Sequence, residues 1–94
     1  MRRDSFQAIA DPVRRRIIEL VAVQPRSINQ IAQYFSVSRP AISKHVKVLE
    51  ACGMIEIEKR GRERWCRVNF NAIRDIANWA MKYELYWTES IARL

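Results

Sequence analysis

Few side chains in this sequence have nucleophilic or ligating chemistry, and their spacing gives them little to work with. His45 is the single histidine, and Cys52 follows it on the same flank of a helical segment. A Cys–His pair needs a third group to orient the imidazole and donors for a developing oxyanion. Neither is visible, and Ser43 has no better case as a nucleophile. One histidine cannot hold a metal ion without several partners. The sequence therefore predicts no enzyme, no metal site and no cofactor.

The chemistry on offer is hydrogen bonding and charge. On a wheel of about 100° per residue, Ile42, Val46 and Leu49 fall on one side of the segment 38–52. Pro40, Ser43, Lys44 and Lys47 fall opposite, with no acid among them. That face is small at its start and basic along its length, which suits the floor of a major groove about 12 Å wide. Ser and Arg side chains hydrogen-bond base edges, while Lys near the rim neutralises phosphate. Arg39 lies at the N-terminal end, where recognition helices touch bases. His45 falls on the shoulder between the two faces, either half-buried and bonded within the helices or touching nucleic acid. A second basic group, Lys59-Arg60-Gly61-Arg62-Glu63-Arg64, suits the negative potential of a minor groove. Taken alone, each group would be an ordinary solvated surface.

The elements that must position these residues can be read from caps and periodicity. Phe6 to Ala10 reads as a small helix. Asp11-Pro12 starts a longer one, with Val13, Ile17, Leu20 and Val21 on its buried face and Pro25 at its end. Ser27 and Gln30 have the spacing of a capping box, and Ile28, Ile31, Ala32 and Phe35 form the apolar stripe behind it. Ser38 caps the segment 38–52, Pro40 is tolerated in its first turn, and Gly53 stops it. Two short helices joined by a tight turn make a helix-turn-helix. The period then drops to two: Ile55 and Ile57, then Cys66, Val68 and Phe70, alternate with polar or exposed positions, and residues 59–64 join them as a hairpin. From Ala72 the helical period returns, predicting one helix over 72–94 of roughly 35 Å. The whole reads as a mainly α fold with a β-hairpin, α-α-α-α-β-β-α, the order of a winged helix.

Composition bounds what this fold can be. Ninety-four residues with 49% hydrophobic content and a net charge of +7 fold as a single domain over 1–94, with a thin core and no deep substrate cleft. Residues 1–70 carry 14 of the 17 basic and 7 of the 10 acidic residues, whereas 71–94 carry three of each. No apolar run approaches a membrane span, and Met1-Arg2-Arg3-Asp4-Ser5 lacks a secretory segment. A cytoplasmic protein without disulfides is expected. Cys52 and Cys66 read as packing residues; the sharper alternative is a redox switch, in which Arg64 and Arg67 lower the pKa of Cys66. The neutral tail holds four of the nine aromatics. Ile76, Trp79, Tyr83, Tyr86, Trp87 and Ser90 share a broad helical face, with Ile73, Ile76 and Ala80 packing partly on the chain's own core. With Phe6 from the first helix, that face predicts a two-fold dimer. Such a dimer sets two recognition helices about 34 Å apart. A pocket between the last helix and the core would take a small-molecule inducer.

The segments Ala10-Asp11-Pro12-Val13-Arg14-Arg15-Arg16-Ile17-Ile18, Ser38 through Gly53 and Gly61-Arg62-Glu63-Arg64 resemble the signature segments of ArsR-type winged-helix repressors. The resemblance covers essentially the whole chain. It implies a prokaryotic homodimer that binds a palindromic double-stranded DNA operator and represses transcription, often of its own operon. It places base contacts at Arg39, Pro40, Ser43 and Lys44 and the wing at Arg60 through Arg64. The expected DNA-binding set is thus Ser38, Arg39, Pro40, Ser43, Lys44, His45, Lys47, Arg60, Arg62 and Arg64. The family's metal sensors carry a Cys-x-Cys in the first helix of the helix-turn-helix, where this chain reads Asn29-Gln30-Ile31-Ala32, or His and Asp ligands along the last helix, which here has no His or Cys. The chain is accordingly more similar to members without metal sites, including autorepressors. A protein-interaction module that ignores DNA and a thiol-responsive repressor are the alternatives.

Overall fold

Five helices start where a short polar side chain stands in extended backbone and turns an oxygen onto the amides that follow. In this computed structural model, which describes residues 4–92, Asp4 caps α1 (Ser5–Ala8), Asp11 caps α2 (Pro12–Val23) and Ser27 caps α3 (Ile28–Ala32). Ser38 caps α4 (Arg39–Ala51), and Asn69 caps α5 (Phe70–Met81). Helix α1 is thus one turn, displaced by a residue or two from the segment expected at Phe6 to Ala10. The capping box is complete: the Gln30 amide donates to Ser27 Oγ and the Ser27 amide to Gln30 Oε1, both at 3.1 Å.

Helix α4 ends as glycine chemistry dictates. Gly53 takes a φ of 75°, its amide donates to Glu50 O, and the Met54 amide reaches back to Leu49 O, both at 3.0 Å. This pair of bonds closes the last carbonyls and brings Met54 against Leu49, both fully buried. Asn69 then locks the junction, donating from its side chain to Gly53 O at 2.9 Å and from its amide to Met54 O at 2.8 Å.

The sheet has three antiparallel strands, β1 (Arg26–Ser27), β2 (Ile55–Arg60) and β3 (Glu63–Val68), in the order β1-β3-β2. Strand β1 corrects the expected element order. Two residues between Pro25 and a helix cap show no alternation, and the partners that make them a strand, Cys66 and Trp65, lie far along the chain. The expected joining segment 59–64 also shrinks: pairing continues through Lys59↔Arg64 and Arg60↔Glu63. Only Gly61 and Arg62 remain as the turn, with Gly61 at a φ of 59°. The core sits between the helices and this sheet, around the fully buried Ile17, Ile31, Ile42, Val46, Leu49, Met54, Ile55 and Cys66.

The largest departure lies at the C-terminal side. In place of one helix over 72–94, α5 begins at Phe70, and α6 (Glu84–Ala92) follows after Lys82 and Tyr83. The Lys82 and Tyr83 amides bond only three residues back, to Trp79 O and Ala80 O, which tightens the turn and breaks the α-helical ladder. No Gly or Pro marks the break, so the apolar period runs through it. The expected end of the helix at Arg93 and Leu94 lies outside the described residues. The radius of gyration, 15.5 Å, exceeds the roughly 12 Å of a compact chain of this length. Helix α6 buries none of its residues.

Candidate nucleic-acid interface

Helices α3 and α4 pack together as a helix-turn-helix, and α4 shows the two expected faces. Ile42, Val46 and Leu49 are fully buried. Arg39, Pro40, Lys44 and Lys47 are exposed, and Ser43 is half-buried beside them. Ser38 is exposed too, but its Oγ accepts the Ala41 amide at 3.3 Å, so its first role is to start the helix. Lys44 and Lys47 make no hydrogen bond or ion pair among the described residues. Arg39 does: its Nε donates to Asn29 Oδ1 on α3. Asn29 stood out in the sequence only as the wrong residue for a metal ligand; no spacing rule links it to Arg39.

His45 is half-buried, as its place on the shoulder of α4 suggested. Its Nδ1 lies 3.9 Å from Asp11 Oδ2, so it faces the N-terminus of α2. The other Asp11 contact is the cap itself, the Arg14 amide donating to Oδ2 at 3.0 Å. That amide, followed by the charges of His45 and Arg14, holds the Asp11 carboxyl below its usual range against the opposing effect of burial.

In the wing the four bases are not equivalent. Arg60 Nη2 and Arg67 Nη2 both donate to Glu58 Oε2, at 3.1 and 3.0 Å. The Arg60 guanidinium also lies 5.1 Å from the centre of the Trp65 ring, and Trp65 Nε1 donates to Glu63 Oε2 at 3.0 Å. The Arg60 bond, then the charges of Arg60 and Arg67, lower the pKa of Glu58. Arg60 is therefore braced against its own strand. Lys59, Arg62 and Arg64 are exposed and make no such bond among the described residues. The arginines at the start of α2 are also engaged: Arg14 donates from Nε to Ala8 O and from Nη2 to Gln7 O, both at 3.0 Å, and Arg15 Nη1 donates to Ile9 O at 2.8 Å. They close the carbonyl end of α1.

Cys66 packs in the core as expected, and the lowered thiol pKa of the alternative reading is reversed. Cys66 is fully buried, and burial, with the charge of Glu50 adding to it, pushes its pKa up to about 11. Arg64 and Arg67 flank it in sequence, but the inward turn of the thiol removes it from them. Cys52 is buried as well, and both thiols are free. The thiol-responsive alternative loses its premise. No pocket is found among the described residues, between the last helix and the core or elsewhere. No group of three or more His, Cys, Asp or Glu side chains gathers as a metal site among those residues. None of the described helices is long and apolar enough to cross a membrane.

The aromatic residues of the tail line up across three helices. Phe6 of α1 meets Trp79 of α5 edge-on at 5.3 Å, Trp79 meets Tyr83 at 5.4 Å, and Tyr83 lies 6.3 Å from Tyr86 of α6. Phe6, Trp79, Tyr83 and Tyr86 remain 41%, 49%, 45% and 68% exposed. Trp87 is exposed as well, whereas Ile73 and Ile76 pack partly on the core.

A helix-turn-helix with an acid-free basic face, followed by a hairpin with a basic tip, defines a winged helix-turn-helix DNA-binding domain. Known proteins agree. The family described as "Bacterial regulatory protein, arsR family" matches residues 11–56, from the cap of α2 into β2. Transcriptional repressor SdpR of Bacillus subtilis (strain 168) is 31% identical over 78 residues, covering 83% of this chain and 87% of SdpR. The crystal structure of an ArsR family transcriptional regulator superposes with a TM-score of 0.80 at 30% identity, over 89% of this chain and 87% of that one. A homodimeric winged helix-turn-helix domain from Mycobacterium bovis, a possible ArsR-family regulator solved by NMR, has the same fold. It superposes with a TM-score of 0.70 at 20% identity, over 86% of this chain and 78% of that one. The chain belongs to the arsR family of bacterial regulatory proteins, a family of transcriptional regulators, and is a DNA-binding member of it.

Proposed function

We propose that the chain acts in the cytoplasm as a homodimeric repressor of its own or a neighbouring operon and has no catalytic role. In this reading α4 enters the major groove of a palindromic operator and the hairpin tip meets the minor groove. The observation that carries it is the outward face of α4, where Arg39, Pro40, Ser43, Lys44 and Lys47 stand together over a buried stripe with no acid among them. Arg39, Pro40, Ser43 and Lys44 are assigned to bases. Lys47, Arg62 and Arg64 are assigned to phosphate or minor groove, His45 to the helix shoulder and Ser38 to the helix start. Arg60 is assigned to bracing the wing.

The dimer half of the reading rests on the aromatic run from Phe6 to Tyr86, together with the exposed Trp87 and the partly buried Ile76 of the same tail. A run so exposed in a monomer favours association, and a two-fold axis lets one patch cover two copies. The relatives lend support: SdpR is a repressor by name, and the Mycobacterium bovis domain is homodimeric.

The test is binding of the purified chain to the DNA upstream of its own gene, by fluorescence anisotropy at two salt concentrations, with sedimentation of the free protein. We expect a dimer whose affinity falls steeply with salt as condensed counterions are released. A chain that selects no DNA site from a random pool overturns this reading in favour of a protein-interaction module.

A further inference from the structure

We propose that Asn29 is a positioning residue for base reading: it fixes the plane of the Arg39 guanidinium so that Arg39 reads a guanine in each operator half-site. The inference deepens the reading of α4 above and rests on it. Arg39 is the first residue of α4, and its Nε–H is given to Asn29 Oδ1. A guanidinium has five N–H donors in one rigid plane. With Nε engaged, the remaining four sit on Nη1 and Nη2, at the tip of an exposed side chain. That edge matches the O6 and N7 acceptors of guanine in the major groove.

Both ends of the bond are held by helix starts. Asn29 lies in the first turn of α3, set by the Ser27–Gln30 capping box. Arg39 lies in the first turn of α4, set by the Ser38 cap and by Pro40. An exposed arginine ordinarily loses much rotamer freedom when it docks. Here that ordering is done before DNA arrives. Ser43 lies one turn along the same face, so the guanine reader and a small hydroxyl stand side by side at the end of α4 that reaches bases.

The experiment selects a site from a random duplex pool with the unaltered chain, then measures affinity for that duplex and for every single-base-pair variant. Asn29→Ala should lose about 5- to 20-fold of the guanine preference at one symmetric pair of positions, within the range of a good bidentate contact. Preferences elsewhere, affinity for scrambled duplex and the melting temperature should be unchanged. Asn29→Asp keeps an acceptor, so it should retain the guanine preference while binding all DNA more weakly. Asn29→Ala combined with Arg39→Ala should discriminate no worse than Arg39→Ala alone. Equal weakening on every duplex, or losses that add in the double variant, would show a merely structural tie between α3 and α4 and overturn the proposal. A chain that selects no site refutes the reading of α4 and this inference with it. Selection of a site whose guanine preference survives Asn29→Ala refutes the inference alone.

Discussion

Residues 4–69 and residues 70–92 follow opposite rules of construction. The first part closes a core of its own: α2, α3, α4 and the sheet share one in which eight large residues are fully buried, although Phe6, Val23, Tyr34 and Val37 stay exposed. Its charges are sorted too, with Arg14, Arg15, Arg26, Arg39, Arg60 and Arg67 engaged within the chain. In the second part only Ala72 is buried, and α6 buries nothing. The lesson is a separation of tasks within a very small domain. The helix-turn-helix and its sheet close around a core within one chain, whereas the tail offers an apolar surface that the described residues leave uncovered.

Breaking the head should cost most. Ile42→Ala removes a fully buried side chain from the α4 stripe and should destabilise the fold by about 3 kcal/mol in urea unfolding, with DNA binding lost in parallel. A loss under about 1 kcal/mol would mean the core is less closed than described. Breaking the tail should leave the fold standing. Trp79→Glu or Tyr83→Glu should give a helical monomer in sedimentation with operator affinity reduced by about 100-fold. A dimer that survives both substitutions removes the aromatic run from the interface.

Within the head, the division between bases and phosphates is the next thing to sharpen. Arg39→Ala or Ser43→Ala should cost about 1–3 kcal/mol on the operator and much less on scrambled duplex. Lys47→Ala or Arg62→Ala should weaken all duplexes alike and reduce the salt slope by about one each. Arg60→Ala, by contrast, should alter that slope least, because Glu58 and Trp65 already hold the side chain. Identical behaviour of all five variants would erase the distinction.

The smallest effect concerns the start of α2. Asp11→Ala should cost about 1 kcal/mol near neutral pH. The Asp11 carboxyl is held below its usual range, so its contribution is present above the ordinary value near 4 and declines as pH falls through the folded value. The stability gap between Asp11→Ala and the unaltered chain should therefore narrow below about pH 4 in denaturant titrations. A gap that widens in acid would have the wrong sign for a depressed carboxylate.

How much of this was legible in the sequence follows from the range of each interaction. Caps are local, so Asp11-Pro12, Ser27 with Gln30, Ser38 with Pro40, and Gly53 all marked helix ends correctly. The faces of α4 were legible because helical periodicity is local as well. Strand β1 was not, since two residues become a strand only through Cys66 and Trp65. The break at Lys82 and Tyr83 carries no Gly or Pro and interrupts no apolar pattern. Cys66 reads as a packing residue and is one; the alternative of a lowered pKa fails because its neighbours in sequence are basic while its surroundings in space are apolar. The partnerships of Asn29 with Arg39 and of Asp11 with His45 join separate helices, and no spacing rule reaches across them. Charge and the family resemblance both group Arg60 with Arg62 and Arg64, and only the structure shows its bond to Glu58 two residues before it.

The two-residue interruption between α5 and α6 has a consequence for how such a domain can change over generations. Inserting or deleting one residue between Met81 and Glu84 would re-aim the α6 face relative to α5. It would leave α3, α4 and the hairpin untouched. If the tail pairs copies and α4 reads bases, as proposed, choice of companion and choice of base sequence are adjustable at different places in the chain.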